Sequence, residues 1–171
     1  MISIRRERPE DIGSIRAANE AAFGQRTEGD IVDALSDACP DILSLVAESD
    51  GEIVGHILFS PVTIEDGSGS TQGLGLAPMA VMPNRQRQGI GSRMVHAGLA
   101  ILREQGCPFI IVLGHPEFYP RFGFFAASRH GLRCQWVGVS DATFMVLFLD
   151  ELSMAGLTGV ARYREEFDAA M

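Results

Sequence analysis

The segment Val81-Met82-Pro83-Asn84-Arg85-Gln86-Arg87-Gln88-Gly89-Ile90-Gly91 concentrates residues suited to holding a small polyanion. Arg85, Arg87 and Arg93 fall within nine positions that contain no acid. Gly89 and Gly91 have no Cβ to keep a phosphate off the backbone. A strand-to-helix turn here leaves the first N–H groups of the helix unpaired, with the positive end of its dipole behind them, so a pyrophosphate fits. A helix-start turn without a ligand is the bland alternative. Two other phosphate turns are excluded. A dinucleotide fingerprint needs a third glycine near position 94, where Met94 stands, and a triphosphate loop needs a Gly-Lys-Ser/Thr run that the chain lacks. Further on, Phe118, Phe122, Phe124 and Phe125 crowd around Tyr119 densely enough to wall a pocket, although such clusters more often build core. His56, His96, His115 and His130 show no metal-binding spacing, and Cys39, Cys107 and Cys134 form no CxxC pair, so free thiols and no metal are expected.

Hydropathy patterning predicts the elements that must position these residues. Ile2 to Arg6 alternates as a half-buried strand, and Pro9-Glu10-Asp11 opens a helix to about Phe23 with Ile12, Ile15, Ala18 and Ala22 on its inner stripe. Thr27 and Asp30 resemble a capping box for a second helix whose face is Ile31, Leu35 and Ala38, ended by Pro40. Asp41 to Glu48 and Ile53 to Ile64 form a hairpin across Ser49-Asp50-Gly51-Glu52. Asp66 to Ser70 reads as the clearest loop. Gly73 to Met82 is a fourth strand that should part from a neighbour near Pro78, which cannot donate to a ladder. A helix from Ile90 to about Gln105, stopped by Gly106, precedes the apolar run Cys107 to Leu113, and this crossover makes the flanking strands parallel. Phe144 to Leu149 is another strand, and the tail from Glu151 reads as mostly irregular.

At 171 residues, 46% hydrophobic and 21% charged, the chain suits one compact domain over residues 1–171 and is too apolar for a disordered one. No run approaches the roughly 20 apolar residues of a membrane span. The opening MISIRRERPED lacks the apolar stretch of a secretory signal, so cytoplasmic residence is expected, with no membrane partner. A net charge of -8 disfavours nucleic acid, whose phosphates demand Lys and Arg, and favours cationic partners such as amines.

Gln86-x-x-Gly89-x-Gly91, preceded by Val81-x-Pro83, resembles the acyl-CoA signature of the GNAT superfamily of N-acetyltransferases. Tyr119-Pro120-Arg121-Phe122-Gly123-Phe124 resembles that family's Y-x-x-x-G-F segment, and with Val112 to Tyr119 it is similar to the YhbS-like branch. The chain departs from the commoner pattern where an Asn and an Ala on a helix precede the tyrosine. Here Gly114-His115-Pro116-Glu117 stands instead, and no Glu or Asp lies between Gly73 and Val81.

The resemblance implies a mixed α/β fold, a twisted sheet of about six or seven strands with helices on both faces and a V-shaped split between strands 4 and 5. It also implies transfer of an acetyl group from acetyl-CoA to a primary amine, most simply of a small molecule, by direct attack and without a metal. Backbone N–H groups of Ala80, Val81 and Met82 would meet the carbonyl and pantetheine. Gln86, Arg87, Gln88, Gly89, Ile90, Gly91 and Ser92 would surround the pyrophosphate. Tyr119 would protonate or hydrogen-bond the departing thiolate, a phenol of pKa ~10 facing a thiol of about 8.5. Glu28, Glu117 and His115 are candidates for handling the amine's proton, each with a structural alternative as a helix-start acid or a loop residue. Acetylation of a protein N-terminus or lysine, and a catalytically silent acyl-CoA-binding module, are the rival readings. A homodimer is compatible with the sequence, which carries no mark of oligomeric state.

Overall fold

The computed structural model describes all residues from Met1 to Met171. They fall into two compact units, one formed by Met1–Ser60, Ala77–Ala100 and Glu166–Ala170, the other by Pro61–Leu76, Ile101–Glu165 and Met171.

In the first unit, β1 (Ile2–Arg6) runs antiparallel to β2 (Leu43–Ser49), pairing Ile2 with Ser49 and Arg6 with Leu45. β2 turns into β3 (Glu52–Asp66) through Asp50 and Gly51, whose φ values of 53 and 82 are the two positive angles that a tight hairpin of this hand needs. Successive strand side chains point to opposite faces. His56 accordingly meets Asn19 of α1 (Ile12–Phe23), while Gly55 and Phe59 meet α3 (Ile90–Glu104). A Cβ on Gly98 would stand 2.6 Å from Phe59 Cζ, so the helix carries no side chain where the ring lies. Helices therefore cover both faces. α1 and α2 (Thr27–Ala38) are tied by Arg16, which donates to Asp30 and Asp33 at 2.6 Å each.

Two details here correct the sequence reading. Ile12 is 53% exposed, while Ile15 and Ala18 are buried as expected and Asn19 joins them; Ile12 is the first residue of the helix, and the buried side chain at that end is Asp11 of the 3-10 turn over Pro9–Asp11. The expected capping box is absent. Thr27 is already inside α2, whose cap position is Arg26, and the Asp30 carboxylate goes to Arg16 instead.

In the second unit, the end of β3 turns sharply into β4 (Gly69–Val81), and the expected loop is a hairpin in which Asp66 Oδ1 accepts from the N–H groups of Ser68 and Gly69. β4 pairs parallel with β5 (Phe109–Leu113) only at Leu74, Gly75 and Leu76, opposite Ile110, Ile111 and Val112. The ladder ends there, and Pro78, without an N–H, lies two residues on. β5 is buried from Phe109 to Val112 and is flanked on its other side by antiparallel β8 (Phe144–Phe148). β6 (Phe125–Ala126) extends β8, and β7 (Leu132–Cys134) pairs with β9 (Gly159–Arg162). β9 also pairs with β3, Thr63 opposite Arg162. The strand order is β1-β2-β3-β4-β5-β8-β6, with β9 between β3 and β7 in pairing, nine strands in all. The tail is thus not irregular: α4 (Glu151–Met154) and β9 lie in this unit, and a 3-10 helix over Glu165–Ala170 belongs almost wholly to the first. No helix is long and apolar enough to cross a membrane.

Candidate functional site

In the first unit, β4 delivers the chain to the glycine turn. Ala80 is buried, and the Met82 N–H donates to the Val54 carbonyl at 2.9 Å, so the strand's end stays anchored to β3. A 3-10 turn over Pro83–Arg85 follows, and the Gln86 side chain reaches back to the Val81 carbonyl at 3.0 Å, stapling the turn to the strand. Arg87 (φ 61) and Gly89 (φ 81) both adopt left-handed backbone. A Cβ at Gly89 would meet nothing within 4 Å, so the surface there is open and the glycine is required by its backbone angle alone. Ile90, 2% exposed, pins the start of α3 into the core. The helix's own bonding begins with Arg93 N–H to the Gly89 carbonyl at 3.1 Å. The N–H groups of Ile90, Gly91 and Ser92 precede that bond and have no acceptor within the helix, which makes this an anion-receptive helix end. Met82, Gln86, Arg87 and Gln88 complete the set that the sequence placed here, all in this unit.

The arginines divide the work. Arg93 Nη2 donates to the Ile2 carbonyl at 2.7 Å, tying α3 to β1, and Arg85 donates to Ser49 Oγ at 3.3 Å and Gln88 Oε1 at 3.4 Å. Arg87 is exposed on a left-handed backbone that costs a side-chain-bearing residue roughly 1–2 kcal/mol. An Arg87→Gly variant is therefore expected to be at least as stable as the parent by chemical denaturation. Its CoA dissociation constant should rise by about fivefold, the worth of one exposed ion pair at about 1 kcal/mol. Unchanged affinity would remove the guanidinium from ligand binding.

In the second unit, Tyr119 opens a 3-10 helix over Tyr119–Phe122 that Gly123 (φ 100) closes. Its ring is 6% exposed and packs edge-on to Phe118 (5.0 Å, 89°) and Phe124 (5.7 Å, 72°). Burial alone pushes the phenol up to about 12, so it is protonated at neutral pH. His115 and Glu117 are exposed on the loop before it, where the His115 carbonyl accepts from Phe118 N–H at 3.1 Å. Glu28 sits in the first turn of α2 in the first unit, its carboxylate held by Gln25 Nε2 at 2.8 and 3.2 Å.

One buried polar cluster escaped the sequence reading. His56 is fully buried, its Nδ1 3.2 Å from Asn19 Nδ2 and its Nε2 2.8 Å from Ser44 Oγ. Asn19 also donates to the Ile15 carbonyl, and Ser44 donates to Glu7, so Nδ1 accepts and Nε2–H donates in a neutral imidazole. The only hint was a histidine inside the apolar run of β3. Burial lowers the His56 pKa to about 3. Below pH 6.5 the unfolded chain takes up a proton that the folded chain refuses, so stability falls as pH drops from about 6.5 toward 3. Folding stability should be about 2 kcal/mol lower at pH 5 than at pH 7 from this group alone. His56→Gln should flatten that slope in urea titrations, and an unaltered slope would assign it elsewhere.

A strand, an anion-receptive turn at a helix head, and a following parallel strand come in that order along the chain as β4, α3 and β5. The chain belongs to the acetyltransferase (GNAT) family, whose model matches residues 12–124. It is similar to the uncharacterized N-acetyltransferase YhbS of Escherichia coli strain K12, 37% identical over 166 residues that cover 96% of this chain and 98% of the relative. A crystal structure of YhbS from Escherichia coli in complex with CoA superposes with a TM-score of 0.91 at 36% identity, covering 98% of this chain and 92% of that one. A GNAT family acetyltransferase from Brucella melitensis in complex with acetyl-CoA matches at a TM-score of 0.80 and 39% identity, covering 98% and 99%.

Proposed function

We propose that the chain moves the acetyl group of acetyl-CoA onto the primary amine of a small molecule by direct attack of the neutral amine on the thioester. The observation that carries this reading is the anion-receptive start of α3, where Gly89 leaves open surface and the first-turn N–H groups have no helical acceptor. The CoA and acetyl-CoA complexes of relatives 36% and 39% identical over nearly the whole chain support it. In this reading Gln86 to Ser92 receive the pyrophosphate, and the backbone of Ala80 and Val81 serves the thioester carbonyl and pantetheine, while the Met82 N–H expected to join them is already given to the Val54 carbonyl at 2.9 Å. A C–N bond forms, the C–S bond breaks, the amine loses a proton and the thiolate gains one.

Tyr119 serves the leaving group. With the phenol near 12 and a thiol near 8.5, full proton transfer from Tyr119 to the thiolate is uphill by about 5 kcal/mol. The phenol therefore acts as a hydrogen-bond donor to the developing sulfur charge, and solvent completes the protonation. β4 contains no Asp or Glu, so the amine's proton passes to ordered water or to an acid elsewhere, Glu28 or Glu117. The net charge of -8 favours a cationic acceptor in its approach.

The test is to mix the purified protein with acetyl-CoA and a panel of small amines, peptide N-termini and lysine peptides, and to follow free thiol and acetylated product. Faster release with a small amine than with any peptide is the expected result. A preference for peptides would replace the acceptor class, and tight acetyl-CoA binding with no transfer to anything would replace the enzyme with a silent binding module.

A further inference from the structure

Gly114, the residue after β5, has no backbone reason to be glycine. It is not among the positive-φ positions, and its N–H continues the β5–β8 ladder by donating to the Thr143 carbonyl at 3.0 Å. The reason is spatial. A Cβ on Gly114 would overlap Cε2 of Tyr119 outright and stand 2.8 Å from Cδ2 and 3.2 Å from Cζ. The tyrosine ring therefore lies directly against the Gly114 backbone. Phe118 and Phe124 meet the same ring edge-on, and the Tyr119 N–H is drawn to the His115 carbonyl at 3.4 Å.

The direction of a phenol O–H follows from χ1 and χ2 of its ring, and core rings are confined to the rotamer that their neighbours leave open. Phe118 and Phe124 meet the ring through side chains, whose χ angles can adjust by small amounts. A backbone at the end of a buried strand cannot. We propose that Gly114 is a positioning residue for the reaction: the bare backbone after β5 is the seat of the Tyr119 ring, and the missing side chain fixes where the hydroxyl points. This rests on the role given to Tyr119 under Proposed function. It also accounts for Gly114-His115-Pro116-Glu117 standing where the commoner family pattern implies an Asn and an Ala on a helix. Here the ring lies against a strand end, and only the single turn from His115 to Tyr119 precedes it.

The test is a double-mutant cycle on Gly114→Ala and Tyr119→Phe, with a spectroscopic probe of the ring. Gly114→Ala should lower kcat by about tenfold or more with the acetyl-CoA dissociation constant unchanged. In the Tyr119→Phe background the same substitution should cost less than twofold, because the hydroxyl it misdirects is gone. The chain has two tyrosines, so biosynthetic 3-fluorotyrosine gives two 19F resonances, and loss of one in Tyr119→Phe assigns them. Gly114→Ala should move the Tyr119 resonance and leave that of Tyr163 in place.

A slow Tyr119→Phe together with an unmoved resonance in Gly114→Ala, or with equal costs of Gly114→Ala in both backgrounds, overturns the assignment of Gly114. Full turnover in Tyr119→Phe overturns the role of Tyr119 itself, and is read separately from the resonance. If Gly114→Ala does not fold, Gly114→Ala combined with Tyr119→Leu must recover the fold, since the new Cβ then meets no ring. Continued misfolding would show that the backbone, and not the ring, demands glycine.

Discussion

Tyr119→Phe is expected to lower kcat and kcat/KM for the acceptor together by about 10²-fold while leaving acetyl-CoA affinity within twofold. A donor aimed at charge that develops only in the transition state contributes to the barrier and not to ground-state binding. Removal of one such donor typically costs 10²–10³ in turnover. Because burial holds the phenol near 12, the wild-type rate should show no alkaline limb from this group below about pH 11, and any fall between pH 8 and 10 belongs to another residue. A merely structural tyrosine behaves in the opposite way. Losing a buried hydroxyl's interactions would cost roughly 1 kcal/mol of stability and leave the chemical step alone. Steady-state kinetics and thermal unfolding on the same variant separate the two. Wild-type turnover with a lowered Tm would return Tyr119 to the core.

The second large effect is on binding. Gly91→Val should weaken CoA by about 10²-fold, because Gly91 is the second residue of α3 and its N–H belongs to the set that precedes the first helical bond. A branched side chain there occupies the space of a phosphate oxygen and shields the N–H groups of the first turn, and two lost charge-assisted hydrogen bonds are worth about 3 kcal/mol. The fold should survive, since valine is no worse than glycine within a helix. Calorimetric titration of CoA at two salt concentrations makes the comparison, with wild-type affinity declining as salt rises. A folded Gly91→Val protein with undiminished affinity would take this turn out of the site.

How much of this was legible beforehand depended on whether the signal was local. The helix from Ile90 and the strand from Phe144 came out within a residue or two, because each holds a full apolar period within its own span. β6, β7 and β9 did not, being two, three and four residues long and recognisable only through partners far along the chain. The glycine turn was readable because its chemistry is carried by adjacent residues. The fate of Arg93 was not, since its acceptor, the Ile2 carbonyl, lies 91 positions away. Ile12 misled because it begins the helix, where the 3-10 turn at Pro9–Asp11 buries Asp11 instead, although Ile15 and Ala18 further along the same stripe are buried. Gly114 stood out in the sequence only as part of a stretch that departs from the family pattern, because the ring it lies against belongs to Tyr119, five positions on.

The pairing of β9 with β3 also governs when the protein can finish folding. Arg162 and Glu65, joined across that ladder at 2.6 Å, are 97 residues apart. At 5–20 residues per second, a ribosome needs about 5–20 s to make that stretch. For that time the far half of β3 presents an open strand edge to the cell, long after β2 can have closed against its near half. Nascent chains are therefore most exposed to mispairing on one strand, at one side, during one interval of synthesis. A charge introduced on the outward face there, near Thr63, would guard the edge where the native partner arrives last.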